Sequence, residues 1–332
     1  MSATIDPVRP ADPAGRSGRA GRTGQTGKSP GPARPPSSRT KATARAPWIL
    51  LAPFLALFVL TFVLPIIVAI GSSFTKVTRS GLFGESGITS GFAGFANYAQ
   101  ALEDGNFTAS IGRMLLFGAV QVPVMIVLCT ALALMLESAS AKWPSFFRAA
   151  YFLPYGVPGV IATILWSFLY IPGLSPLFDA AALVGLTPDF LGPSTVLWSI
   201  ANIVLWSYTG YNMLIIVAQL KAIPGELYEA ARVDGASTWR VARSIQLPLI
   251  RPALLLTTVF SIIGTLQLFA EAQVLKTASP AIDSQYTPNL SAYTTAFAYN
   301  DYNVAAAQAV LIAVVAFALS FTFLKLTNRK SS

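Results

Sequence analysis

KAIPGELYEAARVDGASTWRVARSIQLPLIRP, residues 221–252, is a charged stretch set between two long apolar runs in a chain of 332 residues. Pro224 suits the first turn of a helix, and Glu226 and Glu229 follow near its positive N-terminal end. Leu227, Tyr228, Ala230, Ala231 and Val233 give that helix an apolar side. Asp234-Gly235 stops it, because glycine takes a positive φ readily. A second short helix carrying Trp239, Val241, Ala242, Ile245 and Leu247 then runs to Pro248. The spacing predicts two short amphipathic helices at an angle, a compact knob; a solvated loop would not need this apolar pattern. Two readings stay open on physical grounds: interfacial helices between spans, or a docking surface for a partner.

Outward from the knob the chain is apolar. It is 54% hydrophobic and 11% charged, against about 25% charged residues in soluble domains. Six stretches, near 48–74, 111–136, 149–171, 195–220, 253–275 and 303–325, reach the roughly 20 residues that a membrane-crossing helix needs. Backbone groups in lipid must be satisfied within the element, and these runs rarely alternate, so they read as helices and not barrel strands. The expectation is an all-α integral membrane protein with six transmembrane helices. Six spans put both termini and the loops 137–148 and 221–252 on one side. That side holds nineteen Lys/Arg and the other four, which places both termini in the cytoplasm of a multi-pass cell-membrane protein. Pro53, Pro65, Pro123, Pro154 and Pro158 lie inside spans and each removes a backbone donor, a weak pointer to helices broken beside a cavity.

Of the net charge of +9, +7 sits in residues 1–46, which also hold six Gly and seven Pro. Such a segment reads as a disordered basic tail. It reads as a solvated cytoplasmic extension, with attraction to anionic lipid headgroups as the sharper alternative, and its charge does not argue for a nucleic-acid surface. GRTGQTGKS, residues 21–29, has the look of a phosphate loop, but Arg22 stands where the first glycine is required and no strand precedes it. Histidine is absent and Cys129 is the single cysteine, which excludes a Ser-His-Asp or Cys-His triad, an imidazole zinc site and a disulfide framework. No catalytic residue, metal or cofactor is expected. The chain divides into the tail 1–46, a first transmembrane helix and outer loop 47–110, a five-helix core 111–326 containing the loop 221–252, and a cytoplasmic C-terminus 327–332.

Glu229-Ala230-Ala231, three residues, Gly235, nine residues, Ile245, one residue and Leu247-Pro248 reproduce the signature EAA---G---------I-LP. It marks the membrane permeases of binding-protein-dependent ABC importers, which the chain resembles. FANYAQALEDGNF (95–107), FFRAAYFLPYGVPGVIATILWSFLY (146–170) and LKAIPGELYEAARVDGAS (220–237) are similar to segments of the maltose-type carbohydrate subfamily. TASP (277–280) departs from it, standing where a Thr-Gly-Gly-Pro-like turn is common. The resemblance implies a type I importer permease fold and a coupling role for Glu229, Ala230, Ala231, Asp234, Gly235, Ile245, Leu247 and Pro248, seated in a cleft of a cytoplasmic ATPase dimer. It also implies a second permease subunit and an extracytoplasmic sugar-binding protein. No Walker sequence is present, so ATP hydrolysis falls to the ATPase partner.

A solute path calls for polar positions on helices near mid-membrane. The fourth run offers Asn202, Tyr208, Tyr211 and Asn212, and the fifth offers Ser261 and Thr265 on one face with Gln267 and Glu271 nearby. Tyrosines with amides and hydroxyls suit the ring faces and hydroxyls of sugars. The resemblance aligns Tyr211 and Ser261 with sugar-contacting positions, and Thr265 with a position that is Asn there. Hydrogen bonding between packed helices is the competing use of each polar residue. Glu271 reads as a proton or cation site or as an outer-mouth carboxylate near the interface, with the second preferred. A self-sufficient ion-coupled secondary transporter would use Glu271 but leave the knob without a task. A membrane enzyme lacks a catalytic constellation.

Overall fold

The computed structural model describes residues 39–79, 88–138 and 141–328. The tail over 1–38, with its phosphate-loop-like string, and the last four residues lie outside the described residues. The chain divides into two units, Met1–Phe58 and Val59–Ser332. In the first, helix α1 (Arg39–Phe58) begins inside the stretch expected as tail and carries Phe54 stacked on Phe58, with ring centroids 6.2 Å apart.

The second unit opens with a π-helical turn, Val59–Val63, and α2 (Leu64–Ser73), with Pro65 in the first turn of α2. A hairpin that hydropathy does not announce follows: β1 (Thr75–Arg79) pairs antiparallel with β2 (Ile88–Phe92) in the register Thr75↔Phe92. Asn97 anchors its base, donating to the carbonyls of Ser73 and Thr75 at 2.8 and 2.7 Å from α3 (Ala96–Glu103). Then comes α4 (Gly105–Leu136), with Asp104 capping its start through the Asn106 N–H.

Five apolar segments are long enough to cross a membrane: Pro47–Ser73, Gly105–Leu136, Val196–Lys221, Arg251–Leu275 and Tyr302–Thr327. The expected third span, 149–171, is not one straight helix. It is built from α5 (Pro144–Phe152), a 3-10 turn at Leu153–Gly156 and α6 (Gly159–Leu169), and the two halves meet at 96°. Pro154 and Pro158 remove two donors within about one turn, and Val157, preceding proline, is forced extended with ψ 124°. The helix cannot run through that spacing.

A short helix, α7 (Pro176–Leu183), leads to α8 (Val196–Lys221). The knob comprises α9 (Gly225–Val233), α10 (Thr238–Val241), a π-helical turn at Ala242–Gln246 and α11 (Leu247–Leu249). The fifth apolar segment is itself interrupted: α12 (Arg251–Leu266) ends at Gln267, and α13 (Ala270–Leu275) restarts after Phe269. Last are α14 (Pro288–Phe297) and α15 (Tyr302–Asn328).

Within a bilayer helices gain little from expelling water, so close packing and interhelical hydrogen bonds hold them together. Two apolar clusters mark the two ends of the α4–α8–α12 bundle. One joins Met114, Phe117, Ile200, Ile203, Leu266 and Leu275. The other joins Cys129, Ala133, Met213, Ile216, Leu220, Ile223 and Ile250. Small residues set the spacing. A Cβ on Gly118 of α4 would stand 3.1 Å from the Thr265 methyl, and one on Gly210 of α8 would stand 1.8 Å from the Tyr151 carbonyl oxygen.

Three arginines near the ends of apolar segments have defined partners. Arg113 donates to the Tyr286 carbonyl at 2.6 Å and lies 4.2 Å from the centre of that tyrosine's ring. Arg148 pairs with Glu137 at 3.0 Å. Arg251, at the start of α12, donates to the Thr327 carbonyl near the C-terminal end of α15, where free carbonyls favour a cation.

Candidate functional site

The knob forms as its residues dictate. Pro224 caps α9 in an extended conformation, with φ −58° and ψ 135°. Gly235 takes φ +68°. The Ala236 N–H donates to the Ala231 carbonyl at 2.9 Å and the Gly235 N–H to the Arg232 carbonyl at 3.1 Å, a Schellman stop that needs a residue free of Cβ strain. Ser237 caps α10 by accepting from the Arg240 N–H. The second helix of the knob is less regular than expected, since the π-helical turn at Ala242–Gln246 stands between α10 and α11.

Its two faces differ. Inward, Ile223 and Ile250 belong to the apolar cluster with Met213 and Leu220, and Tyr228 and Leu247 pack against it. The Gln246 amide reaches the Tyr228 hydroxyl at 3.4 Å, joining the two halves of the knob. Outward, Glu229, Ala230, Asp234, Gly235 and Pro248 are exposed, as are Val233 and Trp239. Ala231 is buried and Ile245 half-buried. Between the halves lies a concavity of about 370 Å³ lined by Leu227, Ala230, Ala231, Asp234, Arg240 and Ile245. The eight coupling candidates thus divide between a rooted side and a presented side.

The polar residues expected along a path do not all come together. Tyr208 and Tyr211 do, around a residue that sequence reading missed. Tyr155, in the 3-10 turn, stacks on Tyr211 at 4.5 Å and 14°, and meets Tyr208 edge-on at 5.9 Å. Gly210 lets the α5 backbone cross α8 between those two tyrosines. The run Tyr151-Phe152-Leu153-Pro154-Tyr155 carries the signal, an aromatic-rich segment made unable to stay helical.

Asn202 stands apart. Its amide donates to the Tyr170 hydroxyl at 2.9 Å, and that hydroxyl donates to the Ser199 carbonyl at 3.0 Å, a bond set that ties α6 to α8. Thr265 is buried, with its hydroxyl on the Ser261 carbonyl at 2.8 Å and its methyl against Gly118. Ser261 is half-buried one turn earlier, and Gln267 is exposed at the end of α12.

Glu271 follows the interruption of the fifth segment. It is half-buried on α13, close to Gly159 at the start of α6. Its neighbours Ala272 and Leu275 belong to the apolar cluster with Met114 and Ile200. Among the described residues no group of three or more metal-ligating side chains occurs.

The model of one protein family, the binding-protein-dependent transport system inner membrane component, matches residues 130–331, which include the whole knob. The chain belongs to this family. As such a membrane transport component it is 30% identical over 282 residues to the lactose transport system permease protein LacF of Rhizobium radiobacter, covering 82% of this chain and 91% of that one. It is 27% identical over 284 residues to the probable starch degradation products transport system permease protein AmyD of Thermoanaerobacterium thermosulfurigenes, covering 85% and 94%. A solved bacterial ABC transporter involved in import of the acidic polysaccharide alginate shares the fold, with TM-score 0.74 and 21% identity over 89% of this chain and 100% of that one. The all-α membrane architecture expected of this transport component is therefore its family's.

Proposed function

We propose that the chain is one permease half of an ATP-driven carbohydrate importer, working with a second permease, a pair of cytoplasmic ATPase subunits and an extracytoplasmic sugar-binding protein. The observation that carries this reading is the two-faced knob, which presents an exposed groove while its roots sit in the bundle's apolar cluster. A push on the groove is then a push on α4, α8 and α12. The nineteen-to-four distribution of Lys/Arg supports a cytoplasmic side for the knob and both termini, where ATP is. Glu229 would pair with a basic group of the ATPase cleft, Ala230 and Ala231 would permit close approach, and Gly235 holds the bend. ATP binding closes the ATPase dimer, draws the knob with it and rocks the bundle; ATP hydrolysis belongs to the partner.

The division 1–46, 47–110, 111–326 and 327–332 separates tail, first helix with outer loop, transporter core and C-terminus on this reading. The solute path runs past Tyr155, Tyr208 and Tyr211, whose rings offer flat apolar faces for sugar rings. Ser261 and Gln267 flank it, whereas Asn202 and Thr265 serve helix packing. The names of the similar permeases support a carbohydrate solute.

Reconstitution tests the reading. Vesicles containing this chain, its second permease and the ATPase pair should take up labelled sugar only with ATP inside and binding protein outside. Uptake by this chain alone, driven by an ion gradient, would overturn the proposal in favour of a secondary transporter.

A further inference from the structure

Glu271 is an ionisable group that the coupling mechanism does not use. Its side chain lies against Gly159, where a Cβ would meet Oε1 at 4.0 Å, and Gly159 comes four residues after Tyr155, which meets Tyr208 edge-on at 5.9 Å. The one ion pair among the described residues is Arg148–Glu137, so no Lys or Arg neutralises Glu271 there. The first residues of α6 offer the partial positive charge of a helix N-terminus, which offsets part of a carboxylate's charge. An ionised carboxylate is costly against lipid or dry packing and belongs beside water or solute. Two broken helices converge on it, α5–α6 at Val157–Pro158 and α12–α13 at Gln267–Phe269. Interrupted helices at membrane depth border cavities, because only there are their open backbone groups satisfied. Tyr155 and Tyr208, both about two-fifths exposed, present polar hydroxyls in the same region.

We propose that Glu271 imposes a negative potential on the solute path at the level of Tyr208, so that this permease passes neutral and cationic solutes and opposes anionic ones such as uronates and phosphate esters. The proposal rests on the path assigned above and adds the solute's charge class. Charge is a property on which similar proteins differ, since one is named for lactose and another for an acidic polysaccharide. Like charges about 6 Å apart in a partly aqueous path repel enough to change occupancy roughly tenfold.

The test needs no knowledge of the solute. Cys129 is buried and is the chain's single cysteine, so Cys129→Ala leaves this chain without a thiol, and the same assembly lacking the reporter gives the background to subtract. Gln267→Cys, at an exposed position four residues before Glu271, then serves as reporter in the assembled transporter. Its reaction rates with a cationic and an anionic methanethiosulfonate are compared with those of a free thiol in solution. The expected result is a preference for the cationic reagent roughly tenfold above the free-thiol ratio. Glu271→Gln should return the ratio to the free-thiol value, and Glu271→Asp should retain the preference. A free-thiol ratio with Glu271 in place, the same ratio in Glu271→Gln, or no reaction with either reagent overturns the proposal. The native-Glu271 reporter decides the matter even if Glu271→Gln does not assemble. ATP-driven sugar uptake without a charge preference would overturn this proposal alone and leave the importer reading standing.

Discussion

The knob and the broken-helix region are built in opposite ways. In the knob every special residue acts locally. Pro224 starts a helix, Gly235 stops it at φ +68°, and the hydrogen bonds concerned span five residues or fewer. In the broken-helix region the decisive contacts are distant in sequence. Gly210 meets Tyr151, Gly118 meets Thr265, and Gly159 meets Glu271. A surface that must fit a partner carries its own shape, whereas a region that must open depends on how whole helices lie against one another.

This difference can be broken at several points, the largest effect first. Gly210→Val would put a Cβ 1.8 Å from the Tyr151 carbonyl oxygen, and overpacking of that kind costs about 3 kcal/mol. The assembled complex should lose thermal stability, read as a lower midpoint in detergent, while Gly225→Ala, with nothing within 4 Å, should leave it unchanged. Equal midpoints for the two would end the distinction between distant and local control.

Gly235→Val should do the reverse. Its strain, about 1–2 kcal/mol, stays within an exposed turn, so the thermal midpoint should move little. ATP-driven uptake should nevertheless fall by roughly tenfold, the factor that ~1.4 kcal/mol carries. A third substitution sharpens the path. Tyr155→Ala removes the ring stacked 4.5 Å from Tyr211, and an aromatic contact of about 1 kcal/mol corresponds to a several-fold rise in the half-saturating solute concentration. Tyr155→Phe should behave as the unaltered chain.

The smallest change is expected at Asn202. Asn202→Ala loses one bond to Tyr170, about 1 kcal/mol of stability, with the solute dependence of uptake unmoved. A shifted solute dependence would return Asn202 to the path.

What was legible follows the same division. Apolar length reports membrane spans, and the second, fourth and sixth runs correspond to α4, α8 and α15. The knob was legible because a signature of local turns and caps is written in consecutive residues. The broken spans were less so. Pro53 and Pro123 lie inside continuous helices, whereas Pro158 stands at a break, capping the start of α6. The difference is Pro154 and Gly156 close before it, a spacing that a count of apolar residues ignores. Tyr155, Gly210 and the contact of Glu271 with Gly159 depend on where α5 crosses α8 and where α13 lies against α6, which no single segment encodes. Asn202 and Thr265 look like Tyr208 in a polar census, yet the Asn202 amide bonds the Tyr170 hydroxyl and the Thr265 hydroxyl bonds its own helix at Ser261.

The central claim is that motion enters through the knob and leaves through the path. Its most direct test is Glu229→Lys in vesicles holding the complete transporter, with sugar uptake and ATP hydrolysis measured on the same sample. Glu229 is exposed and roots nothing, so the complex should insert and remain intact. The expected result is that ATP-dependent uptake falls to background; normal uptake by the intact Glu229→Lys transporter would contradict the coupling role.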